Sequence, residues 1–93
     1  MTEQQNLHQM AQQDPSVRVQ QAMLRMAQNM MEQGHVHTAA DTYIQLIEQY
    51  PGTDAARAAA SAVADLGQYM EEHGMPHNAL ELYRKLEELQ DLL

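Results

Sequence analysis

The sequence predicts an all-α protein built from two stacked helical hairpins, with four helices in total. Three observations lead to this prediction. Apolar residues recur at three- and four-residue spacing in four segments, no segment alternates with period two, and a set of residues recurs 40 positions later. A chain of 93 residues has room for one small domain, so these segments should share a single core.

The composition narrows the function classes. The chain has 13 acidic and 5 basic residues, a net charge of −8, eight Met and no Cys. Without Cys, a disulfide scaffold, a thiol nucleophile and a Cys-ligated metal are excluded. The negative charge disfavours nucleic acids and anionic membranes as partners. No apolar run could span a bilayer, and the first 30 residues do not resemble a signal peptide, so we expect a cytoplasmic protein.

The first helix is predicted to begin at Asp14-Pro15, since Asp caps free N–H groups and Pro suits the first helical position. Residues 1–14 are Gln-rich and lack an apolar stripe, so we expect a flexible tail before a domain that spans 15–93. The helix should end at Gly34. Its predicted buried stripe consists of Val19, Met23, Met26, Ala27 and Met30.

Three further helices follow. The second should run from about Val36 to Tyr50, because Pro51-Gly52 ends it. The third is predicted to start with a cap at Thr53 or Asp54 and to stop at Gly74, with an apolar face of Ala56, Ala59, Val63, Leu66 and Met70. Pro76 opens the fourth, whose stripe is Ala79, Leu82, Tyr83, Leu86 and Leu93.

An internal repeat connects the two halves. Five residues recur with an offset of 40: Gly34, His37, Ala39, Tyr43 and Leu46 return as Gly74, His77, Ala79, Tyr83 and Leu86. Gly favours the backbone conformation that ends a helix, and Ala lets two helices approach closely. A repeat of this length, each unit a helical hairpin, is typical of a solenoid.

These residues, with Leu66-Gly67 and Pro51, resemble the tetratricopeptide repeat family. The likeness covers two repeats, at about 20–53 and 60–93, and is nearest to bacterial members with a Tyr-Pro-x-Thr junction. It implies a right-handed solenoid that binds proteins. The offset of 40 exceeds the family's repeat of about 34, so the third helix should be about six residues longer than usual.

The leading functional hypothesis is a non-catalytic interaction module, a small adaptor or assembly factor. The resemblance places a binding surface on the inner face of the first and third helices. Arg25 is the sole cation there, which favours a mixed or basic partner helix over an acidic tail. The predicted partner-binding residues are Gln21, Leu24, Arg25, Gln28, Met31, Asp65 and Gln68.

The alternative hypothesis is a self-associating structural or accessory subunit of a larger complex. The fourth helix carries leucines for which two repeats offer no obvious cover, and exposed apolar patches of this kind are rare on monomers. We therefore expect a homo-oligomer, most simply a dimer, with an interface formed by Leu80, Leu89, Leu92 and Leu93.

Catalysis and cofactors are not expected. The adjacent pairs Glu71-Glu72 and Glu87-Glu88 point about 100° apart on a helix, so neither pair can face one substrate. No nucleophile elbow and no Gly-rich phosphate loop occur in the sequence. A metal site is not predicted either. The four turn histidines are the candidates for one, since stacked turns would bring together His35, His37, His73 and His77.

Overall fold

The computed structural model describes residues 15–93, which form four α-helices. Helix α1 spans Pro15–Glu32, α2 spans Val36–Gln49, α3 spans Asp54–Glu72 and α4 spans Pro76–Glu88, and a 3-10 helix follows at Gln90–Leu92. No strand occurs in this part of the chain, so the all-α prediction is confirmed. None of these helices combines the length and apolar character that crossing a membrane requires. The predicted tail, 1–14, lies outside the described residues.

The helices pack as two stacked hairpins, as predicted. Helix α1 pairs with α2, α3 pairs with α4, and α2 packs against α3 to join the two hairpins. Helix α1 touches α3 at few points. Helix α3 is therefore flanked on two sides, by α2 and by α4, whereas α1 has one close neighbour in the described structure.

The two hairpin turns have the same geometry. Gly34 and Gly74 have φ of 84° and 76°, a left-handed conformation that favours glycine. In the first turn the His35 N–H donates to the Met30 carbonyl at 2.8 Å, and in the second the Met75 N–H donates to the Met70 carbonyl at 2.8 Å. This bond closes a helix C-terminus by satisfying a free carbonyl. The 40-residue offset read from the sequence thus reappears in the hydrogen bonds.

Small residues bring the helices of the core together. Ala39 and Ala79 are 0% and 1% exposed. The predicted face of α3 is fully buried, with Ala56, Ala59, Val63, Leu66 and Met70 all in the core. Thr53 caps α3, because its Oγ1 accepts the Ala56 N–H at 3.0 Å. Gly67 lies under the ring of Tyr83, where a Cβ atom would meet the ring carbons.

The buried stripe of α1 differs from the prediction. Gln20 and Ala27 are buried, while Val19 and Met26 are 46% and 51% exposed. Helix α1 packs mainly against α2, and the side it turns toward the core carries Gln20 and Ala27 and is rotated away from the richest apolar stripe. The prediction that Val19 and Met26 are buried is wrong. Met23 and Met30 are half-buried against the core.

The end of the chain also differs from the prediction. Helix α4 stops at Glu88, and the 3-10 helix folds back so that the Gly52 N–H donates to the Leu92 carbonyl at 2.7 Å. Leu89, which continues the stripe of Leu82 and Leu86 on α4, is 5% exposed, and Leu92 and Leu93 are half-buried. The expectation that these leucines lack cover is wrong. Of the predicted interface, Leu80 is the large exposed residue, at 48%.

Candidate partner-binding groove

A groove runs between α1 and α3, and its first cavity lies where both helices begin. The cavity has a volume of about 500 Å³. Thr53 and the first turn of α3 form one wall, and the first half of α1 forms the other. The lining residues are Ser16, Val17, Gln20, Gln21, Leu24, Thr53, Asp54, Ala55 and Ala58. This end of the groove is mixed in polarity, with a side chain amide and a carboxylate beside alanines.

A second cavity of about 350 Å³ lies further along the same two helices. Its lining residues are Met31, Tyr43, Ala62, Asp65, Leu66 and Tyr69. Tyr43 and Leu66 are buried, at 3% and 2% exposed. Asp65 is exposed and is the one carboxylate among the lining residues. The cavity therefore offers an apolar lining with a negative charge at its opening.

Tyr69, which lines the second cavity, stacks against the neighbouring His73. The Tyr69 and His73 rings stack with centroids 3.8 Å apart and an interplanar angle of 24°. His73 Nδ1 lies 2.7 Å from the Tyr69 carbonyl oxygen, which can only accept, so Nδ1 carries the proton and donates. Tyr69 is thereby fixed at both its backbone and its ring. His73 serves as a support for the cavity wall.

The charges around the groove are few. Asp54 forms an ion pair with Arg57 on the exposed start of α3, a contact worth little in free energy because water screens it. Asp65 has no ion-pair partner among residues 15–93. Burial raises the pKa of Tyr43 above its usual 10.0, so the phenol stays neutral in the second cavity. Asp65 is therefore the charge that a ligand in this cavity would meet.

The predicted binding residues divide between the two cavities. Gln21 and Leu24 line the first, and Met31 and Asp65 line the second. The remaining three, Arg25, Gln28 and Gln68, are exposed but line neither cavity. Tyr69 and Tyr43 were not among the predicted residues. Tyr69 follows Asp65 by four residues, a spacing that places both on one helix face and would have revealed it.

The turn histidines do not assemble into a metal site. Among residues 15–93, no group of three or more His, Cys, Asp or Glu side chains could hold a metal ion. His73 is hydrogen-bonded through Nδ1 to the Tyr69 carbonyl. The other three, His35, His37 and His77, are exposed at the helix starts.

The comparisons with known proteins point to one family. Residues 21–53 match the family model described as tetratricopeptide repeat. The match runs from within α1, through α2, to the residue that caps α3. No curated protein and no solved structure matches the chain. Over its first helical hairpin, the chain is similar to the tetratricopeptide repeat family.

Proposed function

We propose that this chain is a non-catalytic protein-interaction module that binds a helical segment of a partner protein in the groove between α1 and α3. The observation that carries the proposal is the second cavity, whose apolar lining and single unpaired carboxylate, Asp65, are suited to one anchoring side chain. The tetratricopeptide repeat match supports it, because such domains generally bind proteins. Pockets of this kind are the usual sites of helix recognition.

The spacing of the two cavities supports a proposal for the ligand. Leu24 in the first cavity and Met31 in the second are seven residues apart on α1, which corresponds to about 10 Å along a helix. A partner helix lying along the groove would place its own residues i and i+7 at these positions. We therefore propose a ligand with two apolar anchors, two helical turns apart.

The charge at the groove adds a further requirement. A basic residue one turn from the second anchor would reach Asp65, and an acidic one could meet Arg25 at the edge of α1. Arg25 lines neither cavity, and no other Lys or Arg is among the described lining residues, so the groove offers no cation to hold a terminal carboxylate. The proposed partner is thus a mixed-charge amphipathic helix.

A library of helical peptides displayed on yeast tests the proposal, because it presents many candidate helices to the groove at once. Peptides are selected for binding to the labelled full-length protein and then measured against two variants. Ala62→Leu fills the second cavity, and Asp65→Arg reverses its charge. Asp41→Arg is the matched control, because Asp41 is exposed on α2 and lines neither cavity.

The expected result is enrichment of peptides with apolar residues seven apart and a basic residue near the second. Their affinity should fall at least tenfold with Ala62→Leu or Asp65→Arg and stay within twofold with Asp41→Arg. Tenfold corresponds to about 1.4 kcal/mol, less than the loss of a central anchor typically costs. Selected peptides that bind all three variants equally would contradict the groove as the site.

Self-association is a second candidate. The predicted leucine interface does not favour it, because Leu89 is buried in the core. What does favour it is the exposure of Val19 and Met26, two large apolar side chains seven residues apart on α1. A pair of this kind marks one helix face that the described structure leaves open to solvent.

A further inference from the structure

We infer that the open face of the first hairpin is a docking surface for a second copy of this chain, paired face to face about a two-fold axis. The inference deepens the self-association candidate and is independent of the groove. The open face is defined by apolar residues of α1 and uncharged polar residues of α2: Val19, Ala22, Met23, Met26, Met30, Thr38, Thr42, Gln45 and Gln49.

A contact between the helices places these residues on one side of the hairpin. Thr42 Oγ1 lies 3.5 Å from Met30 Sδ, while its hydroxyl proton is donated to the Thr38 carbonyl at 2.9 Å. Thr38, Gln45 and Gln49 lie at helical spacing from Thr42, so they continue the same face along α2. Met26 lies one turn before Met30 on α1, and Val19 lies two turns before Met26. The face is therefore continuous across both helices.

The structure itself shows what such a face packs against. Forty residues later, α3 carries Ala59, Val63, Leu66 and Met70 in place of Val19, Met23, Met26 and Met30, and all four are at most 2% exposed. They are buried because α3 lies between α2 and α4. Helix α1 packs against α2 in the same way as α3 packs against α4. Helix α3 also packs against α2 on its other side, whereas no described helix lies at the corresponding position beside α1. The open face thus has the composition of a helix-packing surface, but no helix within residues 15–93 packs against it.

Charge identifies a second copy as the occupant. The chain has 13 acidic residues and a net charge of −8, so most of its surface repels another copy. The α1 part of the open face has no charged side chain, and on α2 the exposed carboxylates Asp41 and Glu48 lie at its edge. Helix α1 contains Arg18 and Arg25 against one acid, Glu32. Charge depletion with enrichment in Met is the composition of an interface core. Two copies can approach here, and charges elsewhere are screened over about 8 Å at physiological salt.

The opposite end of the solenoid disfavours a head-to-tail arrangement. On α2, buried Ala40 and Ile47 lie roughly opposite to Thr42, on the side that faces α3. The residues 40 positions later on α4 are Leu80 and Glu87, and both are exposed. Head-to-tail stacking would bring the exposed Glu87 carboxylate toward the apolar residues of the open face, and a charge that is buried there would cost free energy. Face-to-face pairing joins two faces whose defining residues are uncharged and closes the assembly at a dimer.

The area of the open face gives an expected range for the dissociation constant of the dimer. Helix α1 has 18 residues, which makes it about 27 Å long, and two helices side by side are about 20 Å wide. The face therefore offers roughly 500 Å² per copy, less than the roughly 800 Å² of a standard stable interface. We expect a dissociation constant in the micromolar range. The measurement accordingly needs protein concentrations of about 10 to 200 μM.

Sedimentation equilibrium of the full-length chain across this range provides the test. The expected result is a shift from the 10.6 kDa monomer toward twice that mass. Met26→Glu should weaken the dimer at least tenfold while the helix content by circular dichroism stays unchanged, because Met26 is exposed. Leu80→Glu is the matched control: it adds the same charge at a residue of similar exposure and should leave the dimer intact.

A cysteine variant provides an independent readout, since the chain has no Cys. Met26 lies near the middle of the open face, so Met26→Cys should form a disulfide-linked dimer on mild oxidation, whereas Leu80→Cys should not. A monomer at 200 μM would overturn the inference, and so would a dimer lost equally with Met26→Glu and Leu80→Glu. Either failure leaves the groove proposal standing, because neither residue lines its cavities.

Discussion

The contact between Gly67 and Tyr83 makes a quantitative test of how the second hairpin packs. A Cβ atom at position 67 would lie 2.7 Å from Tyr83 Cζ and closer still to Cε1. Carbon atoms in contact prefer about 3.5–4.0 Å, so the ring would have to move by about 1 Å. Tyr83 also donates from its hydroxyl to Glu71 Oε2 at 3.3 Å, so a shift of the ring would disturb this exposed hydrogen bond as well. Gly67→Ala should therefore strain the pairing of α3 and α4.

Two opposing effects set the free-energy change of Gly67→Ala. Alanine is a better helix former than glycine by about 1 kcal/mol, which favours the variant. Overpacking of a close contact costs about 1–3 kcal/mol. The net effect on the free energy of unfolding should be a loss between about 0 and 2 kcal/mol. In a Tyr83→Ala background the clash is absent, and the same substitution should stabilise the protein by about 1 kcal/mol.

The assay is a double-mutant cycle by urea unfolding, followed by circular dichroism. The coupling energy between positions 67 and 83 should be about 1–3 kcal/mol, and the sign of the Gly67→Ala effect should reverse. Tyr50→Ala serves as the control background, because Tyr50 does not contact Gly67. Its coupling should stay below about 0.5 kcal/mol. If Gly67→Ala stabilises the parent as much as it stabilises the Tyr83→Ala variant, the described contact is wrong.

Three other predictions concern stability. Ala39→Leu and Ala79→Leu should each cost about 1–3 kcal/mol in thermal unfolding, because both alanines lie at helix contacts; two variants that melt like the parent would contradict the hairpin packing. Leu89→Ala should cost about 2 kcal/mol in urea unfolding, whereas Leu80→Ala should cost less than about 0.5 kcal/mol; equal costs would refute the buried position of Leu89. Burial raises the pKa of Tyr43 above 10.0. The stability that the neutral phenol contributes is therefore present below about pH 10 and is lost as the pH rises through the folded-state pKa. The free energy of unfolding should fall above about pH 10, and it should fall by less in Tyr43→Phe.

Local signals explain why much of the fold could be predicted. Gly34 and Gly74 end helices through their own backbone conformation, and Thr53 caps α3 with its own side chain. All five residues predicted for the face of α3 are buried, because helices on two sides cover a wide apolar stripe that also includes Ala55, Ala60 and Gly67. Such features depend on a few adjacent residues, so a pattern in the sequence is enough to reveal them.

Most of the missed features depend on contacts between distant residues. The side of α1 that faces the core is fixed by where α2 and α3 lie, so the apolar content around Val19 and Met26 was misleading. Leu89 continues the α4 stripe at helical spacing from Leu82 and Leu86, a local signal that the prediction overlooked, whereas the cover over Leu92 involves the distant Gly52. In the groove, Met31 and Asp65 were predicted from the family resemblance. Tyr43 could not be predicted to line the second cavity, because its position there depends on how closely α2 approaches the gap between α1 and α3.

The most direct test of the central claim is to map a bound helix onto the protein. Backbone amide shifts of the ¹⁵N-labelled chain are recorded during titration with a peptide selected from the display library. The account predicts that the largest changes cluster along the groove, at Leu24, Met31, Ala62, Asp65 and Tyr69. Changes centred instead on Val19 and Met26, or on Leu80, would contradict the claim that the groove between α1 and α3 is the partner-binding site.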